Sequence, residues 1–149
     1  MQNISGFGLT GNLVASNTFP QGFPITAFAD DTDPLDNPDL QVADSAMGLN
    51  GDFIVWNKPN GIEIVIAVIP RSTEDTNLGL LLDANRVAKG KTSAKDQVTL
   101  TVTYPDGMIA TLSEGIIEAG QPTQQVASAG RLKSRTYRFK FAKIAKAAQ

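Results

Sequence analysis

Period-two alternation is the feature that most limits what this chain can become. In residues 98–104, Thr99, Thr101 and Thr103 fall on one side and Val98, Leu100, Val102 and Tyr104 on the other. Residues 135–141 repeat the pattern, setting Tyr137, Phe139 and Phe141 against Thr136, Arg138 and Lys140. Successive side chains of a strand point to opposite faces, so each segment predicts a half-buried β-strand with one wet side. Two further runs, 52–56 and 62–69, are apolar and β-branched, and Asn57-Lys58-Pro59-Asn60-Gly61 between them carries turn chemistry. Together they predict a β-hairpin. Its second strand is apolar on both faces, which suits a central strand or one covered by another subunit.

The remaining elements fit around these strands. Pro105-Asp106-Gly107 predicts a turn returning into a strand over 108–112, Ile116-Ile117 opens another short strand, and 120–133 reads as a loop of small residues. One segment has helical spacing instead. Ser72 precedes Glu74 and Asp75, and Leu78, Leu81, Leu82, Asn85 and Ala88 recur as a stripe that Gly90 closes. The fold class is mainly β: a two-layer β-sandwich or rolled sheet with one flanking α-helix. With 149 residues the chain can bury a core as a single domain, 1–149. Residues 16–50, punctuated by Pro20, Pro24, Pro34 and Pro38, predict an extended Pro/Asp-rich N-terminal arm or loop.

Chemistry is scarce. The chain has no Cys and no His, so disulfides, thiol nucleophiles, Ser-His-Asp machinery, haem and nearly all zinc sites fall away. Gly6-Phe7-Gly8-Leu9-Thr10-Gly11 matches a dinucleotide fingerprint, but too little chain precedes it for the strand that must aim it. Gly90-Lys91-Thr92 imitates the end of a P-loop with Asn85 where a glycine is required. An EF-hand counted from Asp31 puts Asp36 at the glycine position and Val42 at the bidentate glutamate. Alternation sends Arg138 and Lys140 to the face opposite the rings of 135–141, which fits a core strand better than a nucleic-acid platform. The expectation is a protein without catalytic residues, cofactor, metal or membrane anchor.

Charge is polarised along the chain. Residues 1–57 carry seven aspartates and no Lys or Arg, while 130–149 carry seven cations and no acid. Such blocks are often solvated tails. They can also form complementary contacts between copies, with Asp30, Asp31, Asp33, Asp36 and Asp39 as the acidic side and Arg131, Lys133 and Arg135 as the basic side. Should those blocks not meet, Phe19, Phe23, Phe28 and Leu35 become the apolar candidates for the contact.

A family likeness rests on particular residues. Ala29-Asp30-Asp31-x-Asp33-Pro34-Leu35, Asn50-Gly51-Asp52-Phe53-Ile54-Val55-Trp56, Val68-Ile69-Pro70, Ala84-Asn85-Arg86, Thr103-Tyr104-Pro105-Asp106-Gly107, Ala129-Gly130-Arg131-x-Lys133 and Tyr137-x-Phe139-x-Phe141 resemble tail tube subunits of bacteriophages with contractile tails. Type VI secretion tube proteins are similar in architecture. The resemblance implies a virion protein, assembled in the host cytoplasm, whose hexameric rings stack into a hollow tube. Tail sheath and baseplate proteins would surround it, and tape measure protein and then DNA would occupy the lumen. DNA would pass without specific binding, so an uncharged face such as Thr99, Thr101 and Thr103 is the candidate lumen lining. The alternatives are a non-catalytic binding β-sandwich of the virion fibre or of the sugar- or receptor-binding type and, further off, a hydrolase using Asp and Glu alone.

Overall fold

The computed structural model describes residues 4–148. Its longest strand, β9 (Arg135–Ala148), lies antiparallel between β8 (Met108–Gly120) and β6 (Ile62–Val68). From β8 the sheet continues through β7 (Val98–Thr103) and β1 (Thr10–Ala15) to β2 (Phe19–Ile25). On the other side of β6 sits β3 (Leu35–Asp36), giving seven strands in the order β2-β1-β7-β8-β9-β6-β3. The sheet rolls over on itself. Beyond β2 the chain crosses to the opposite edge, where Phe28 bridges Val68, Ala29 N–H donates to Ala67 O at 3.0 Å and Ile69 N–H donates to Ala27 O at 2.9 Å. The mainly β fold with one flanking helix is therefore a rolled antiparallel sheet.

Alternation decides what fills the roll. Val98, Leu100 and Val102 of β7, Tyr137, Phe139 and Phe141 of β9, and Ile64 and Ile66 of β6 all turn inward into one apolar cluster. Cross-strand partners Ile64↔Phe139 and Ile66↔Tyr137 set branched side chains beside rings, the kind of pair that stabilises a sheet by roughly 0.2–1 kcal/mol. Helix α1 (Thr73–Asn85) closes this cluster with Leu78 and Leu81, both fully buried, and the half-buried Leu82. Ser72 caps it, its hydroxyl accepting from Asp75 N–H at 3.2 Å, and Glu74 and Asp75 sit in the first turn where the helix dipole favours anions.

Several expectations need correction. Segment 52–56 does not form a hairpin with 62–69. Instead β5 (Phe53–Asn57) pairs with β4 (Ala43–Met47) in a separate two-stranded sheet, and β6 takes β9 and β3 as its partners. The aromatic strand β9 gives β6 inward-facing ring partners that β5 does not supply. Helix α1 ends at Asn85, short of Gly90, because the Asn85 side chain turns to Asp96 (Nδ2 to Oδ2, 2.9 Å) and Lys91 Nζ reaches back to the carbonyls of Asp83 and Arg86. Ile116-Ile117 opens no new strand but lies within β8, whose register shifts against β7 near Glu114, a residue at φ 53°. Residues 16–50 are not one irregular arm, since β2, β3 and β4 all lie there. Pro20 and Pro24 hid β2: on an edge strand they point outward while Phe23 and Ile25 point in, an arrangement that tolerates a missing N–H.

Candidate assembly surfaces

The face of β7 away from the core carries Thr99, Thr101 and Thr103, all half-buried. Their neighbours extend the same chemistry. Thr103 pairs with Thr10, Thr101 with Asn12 on one side and Thr111 on the other, and Thr99 with Val14. Hydroxyls, an amide and small apolar groups thus cover three adjacent strands, and none of these positions is charged. A polyanion moving over such a face meets no Lys or Arg with which to exchange counterions, which is the basis of nonspecific nucleic-acid affinity.

The charge blocks behave differently from expectation. Arg131 donates from Nη1 and Nη2 to the two carboxylate oxygens of Asp30, 3.2 Å each, within one chain. That pair holds the Asp30 carboxyl below its ordinary range and pushes the guanidinium up. Asp31 is lowered chiefly by Ser134, whose backbone N–H lies 3.5 Å from its carboxylate. Arg135 is buried rather than free for a neighbouring copy: Nη1 lies 3.3 Å from Asp75 Oδ1, Nη2 donates to Gln121 O at 2.8 Å, and the guanidinium sits 5.4 Å from the Tyr137 ring centre. Tyr137 Oη donates to the same Asp75 oxygen at 3.0 Å, and burial first, then the Asp75 charge, pushes its phenol up. Asp30, Asp31 and Arg131 are thereby engaged within the subunit, whereas Asp33, Asp36, Asp39 and Lys133 remain exposed. Of the apolar fallback residues, Phe23 is buried, and Phe19, Phe28 and Leu35 pack against the core.

A surface that sequence reasoning missed is the β4–β5 hairpin. Its register pairs Asp44↔Trp56, Ser45↔Val55, Ala46↔Ile54 and Met47↔Phe53, turning through Gly48–Asp52, where Gly48 N–H donates to Asp52 O at 2.7 Å. Every residue of β5 is exposed, with Phe53 at 68% and Ile54 at 52%. Both faces carry large apolar side chains, Met47, Phe53 and Val55 beside Ser45 on one, and Ala46, Ile54 and Trp56 beside Asp44, which pairs with Lys58 at 3.2 Å, on the other. The unbroken run Phe53-Ile54-Val55-Trp56 was the available signal, since a strand apolar on both sides must be covered on both.

Elsewhere on the surface, between the N-terminal segment, β3 and the β7–β8 turn, lies a groove of about 870 Å³ whose lining includes Phe7, Leu9, Leu35, Tyr104, Ser5 and Asp106. Among the described residues no three acidic side chains gather as metal ligands, and no helix is long and apolar enough to cross a membrane.

Solved structures share this fold. A chain of the sheath/tube terminator of the extracellular contractile injection system PVC, in its extended state, superposes with a TM-score of 0.58 at 13% identity, over 99% of each chain. A chain of the anti-feeding prophage baseplate does so at 0.57 and 10% identity, over 99% of this chain and 97% of that one. The tube-terminating cap of the same prophage gives 0.55 at 9% identity, over 100% and 93%. No curated protein matches by sequence. Residues 2–145, nearly the whole chain, match the family described as tail fiber protein gp32, and this protein is a member of that family.

Proposed function

We propose that this protein is a structural subunit of a contractile phage tail that assembles with copies of itself into stacked rings, six to a ring, forming the inner tube. The observation that carries the reading is the neutral threonine face over β1, β7 and β8, on a fold shared with chains of contractile injection particles. Turned toward a lumen, that face would let DNA and tape measure protein pass without adhesion, while sheath and baseplate proteins pack outside. Self-assembly needs no active site, no cofactor and no metal. It takes place in the host cytoplasm, and the finished protein resides in the virion tail. The exposed acids Asp33, Asp36 and Asp39 and the cation Lys133 remain available for contacts between copies.

The family description, a tail fibre, favours a second reading, in which the domain is a non-catalytic binding module of a fibre. Negative-stain electron microscopy of the purified protein separates the two. Rings or rods with a central channel are expected for a tube subunit, and discrete small particles at all concentrations would overturn that assignment in favour of the fibre module.

A further inference from the structure

Three dipeptides of the chain set glycine after Asn or Asp: Asn50-Gly51, Asn60-Gly61 and Asp106-Gly107. With no Cβ on the second residue, its main-chain nitrogen is open to the side-chain carbonyl carbon of the first. The fold treats the three differently. At Asp106 both reacting groups are held, the carboxylate accepting from Met108 N–H at 3.0 Å and Gly107 N–H donating to Tyr104 O at 3.0 Å. Asn60 is tied by its side chain, Nδ2 donating to Gln41 O at 3.0 Å, and by its own N–H, which donates to Lys58 O at 3.1 Å. Gly61 beside it lies against β9, where an added Cβ would stand 3.0 Å from Lys140 Cε.

Asn50 escapes these restraints. Its side chain is exposed and, among the described residues, makes no hydrogen bond. Gly51 has a φ of 88° and open space around it. Its N–H donates to Gly48 O at 3.0 Å, but that bond sits at the tip of a separate two-stranded sheet, whose pairing is marginal in water and opens readily. We propose that Asn50-Gly51 is a site of spontaneous deamidation in the native protein, and that the reaction dismantles the β4–β5 hairpin. Neither a tube nor a fibre role is required for it.

In the first step Gly51 N bonds to Asn50 Cγ and the Cγ–Nδ2 bond breaks, the side-chain nitrogen leaving as ammonia with the proton of the Gly51 amide. Water then opens the five-membered imide. Opening at Cγ leaves aspartate, whereas opening at the Asn50 main-chain carbonyl leaves isoaspartate, whose main chain runs through Cβ and Cγ and is one carbon longer. Either product adds a negative charge near Asp52 to a chain of net charge −2. The lengthened turn cannot keep both of its closing bonds, Gly48 N–H to Asp52 O at 2.7 Å and Gly51 N–H to Gly48 O. The adjoining pair Met47↔Phe53 is released with them.

The full-length protein, incubated at mildly alkaline pH and digested, is read by mass spectrometry for isoaspartate in the peptides holding 50–51 and 60–61. In native protein Asn50 should run ahead of Asn60 by about two- to tenfold, the margin set by one net hydrogen bond. In denaturing urea the two sites should react alike. Asn50→Ser should remove the first product and leave that at Asn60 unchanged. The isoaspartate form, separated by chromatography, should exchange the amide hydrogens of 43–57 faster than fresh protein, with β7, β8 and β9 unchanged. Equal native rates, Asn60 ahead, or a preference that persists in urea would overturn the site. Exchange over 43–57 equal to that of fresh protein would overturn the effect on the hairpin.

Discussion

Arg135 Nη1 lies 3.3 Å from Asp75 Oδ1, an ion pair that joins β9 to the first turn of α1 with side chains only 11% and 2% exposed. Tyr137, Arg71 N–H and Gln124 also donate to this carboxylate. The cluster therefore fastens three elements at once: strand, helix and the loop before β9. Removing one partner strands the other as a buried, half-compensated charge, which costs ~3–5 kcal/mol. Arg135→Ala and Asp75→Ala are each expected to lower the thermal midpoint by far more than any surface charge change, and a calorimetric scan checks this. Wild-type stability in either would contradict the buried placement.

The Tyr137 phenol predicts an alkaline signature. Its ionisation is pushed up in the folded state by burial and by Asp75. A raised native value contributes stability that is fully present below the unfolded value, ~10, and is lost as pH rises through the native one. Absorbance titration above pH 10 should show Tyr137 ionising only together with unfolding. In Tyr137→Phe, which loses a hydrogen bond worth ~1–3 kcal/mol to a charged acceptor, that coupling should vanish.

How far the sequence could be read depended on whether a segment's signal was local. β7 and the first half of β9 were legible because their partners do not alter which side is wet: alternation alone sends Val98, Leu100, Phe139 and Phe141 inward. The cap at Ser72 and the leucine stripe of α1 were legible for the same reason. Pairing was not. Residues 53–57 and 62–68 look like neighbours across a short turn, yet the choice was made by β9, more than 70 positions away in sequence, through Ile64↔Phe139. Arg135 reads as one more member of a basic tail until Asp75 is placed beside it, and Arg131 finds Asp30 only because the chain after β2 crosses to β6. Charge counting locates blocks but cannot tell an internal clasp from an external patch.

Asp96 should govern behaviour in acid. Its carboxylate accepts from Asn17 N–H at 2.7 Å, Thr18 N–H at 2.8 Å, Asn85 Nδ2 at 2.9 Å and the Thr18 hydroxyl. Burial raises its pKa, but the hydrogen bonds from Thr18 and Asn85 outweigh this and the net shift is downward. The sign follows: a depressed native value stabilises above the unfolded value of ~4 and is lost as pH falls through the native one. The thermal midpoint should drop as pH falls below the ordinary aspartate value of ~4, and Asp96→Asn should flatten that slope while lowering the plateau near neutrality. A slope unchanged by the substitution would mean that other carboxylates carry the acid transition.

Close packing gives a steric test at Gly115. A Cβ there would lie 2.2 Å from Phe141 Cδ1, inside the core beside the register shift of β8. Gly115→Ala is therefore expected to cost ~1–3 kcal/mol by overpacking. Leu81→Ala, which empties a fully buried site on α1, should cost ~2–5 kcal/mol by the opposite route. Denaturant midpoints measure both, and a neutral result at either position would displace the element concerned.

Lumen lining is tested at Thr101, flanked on its sheet face by Asn12 and Thr111. The side chain points away from the core, so Thr101→Lys should fold and assemble like wild type. If the face lines a tube, each ring would gain a circle of ammonium groups, and phosphates that had slid past hydroxyls would now release counterions and bind. Particles built with the variant should then adsorb to host cells normally but eject DNA more slowly, with the defect shrinking as ionic strength rises, because salt screens exposed charges over ~8–10 Å. Thr101→Ser is the matched control and should eject at the wild-type rate. Normal ejection kinetics in Thr101→Lys particles that demonstrably contain the variant would place this face on the outside of the assembly.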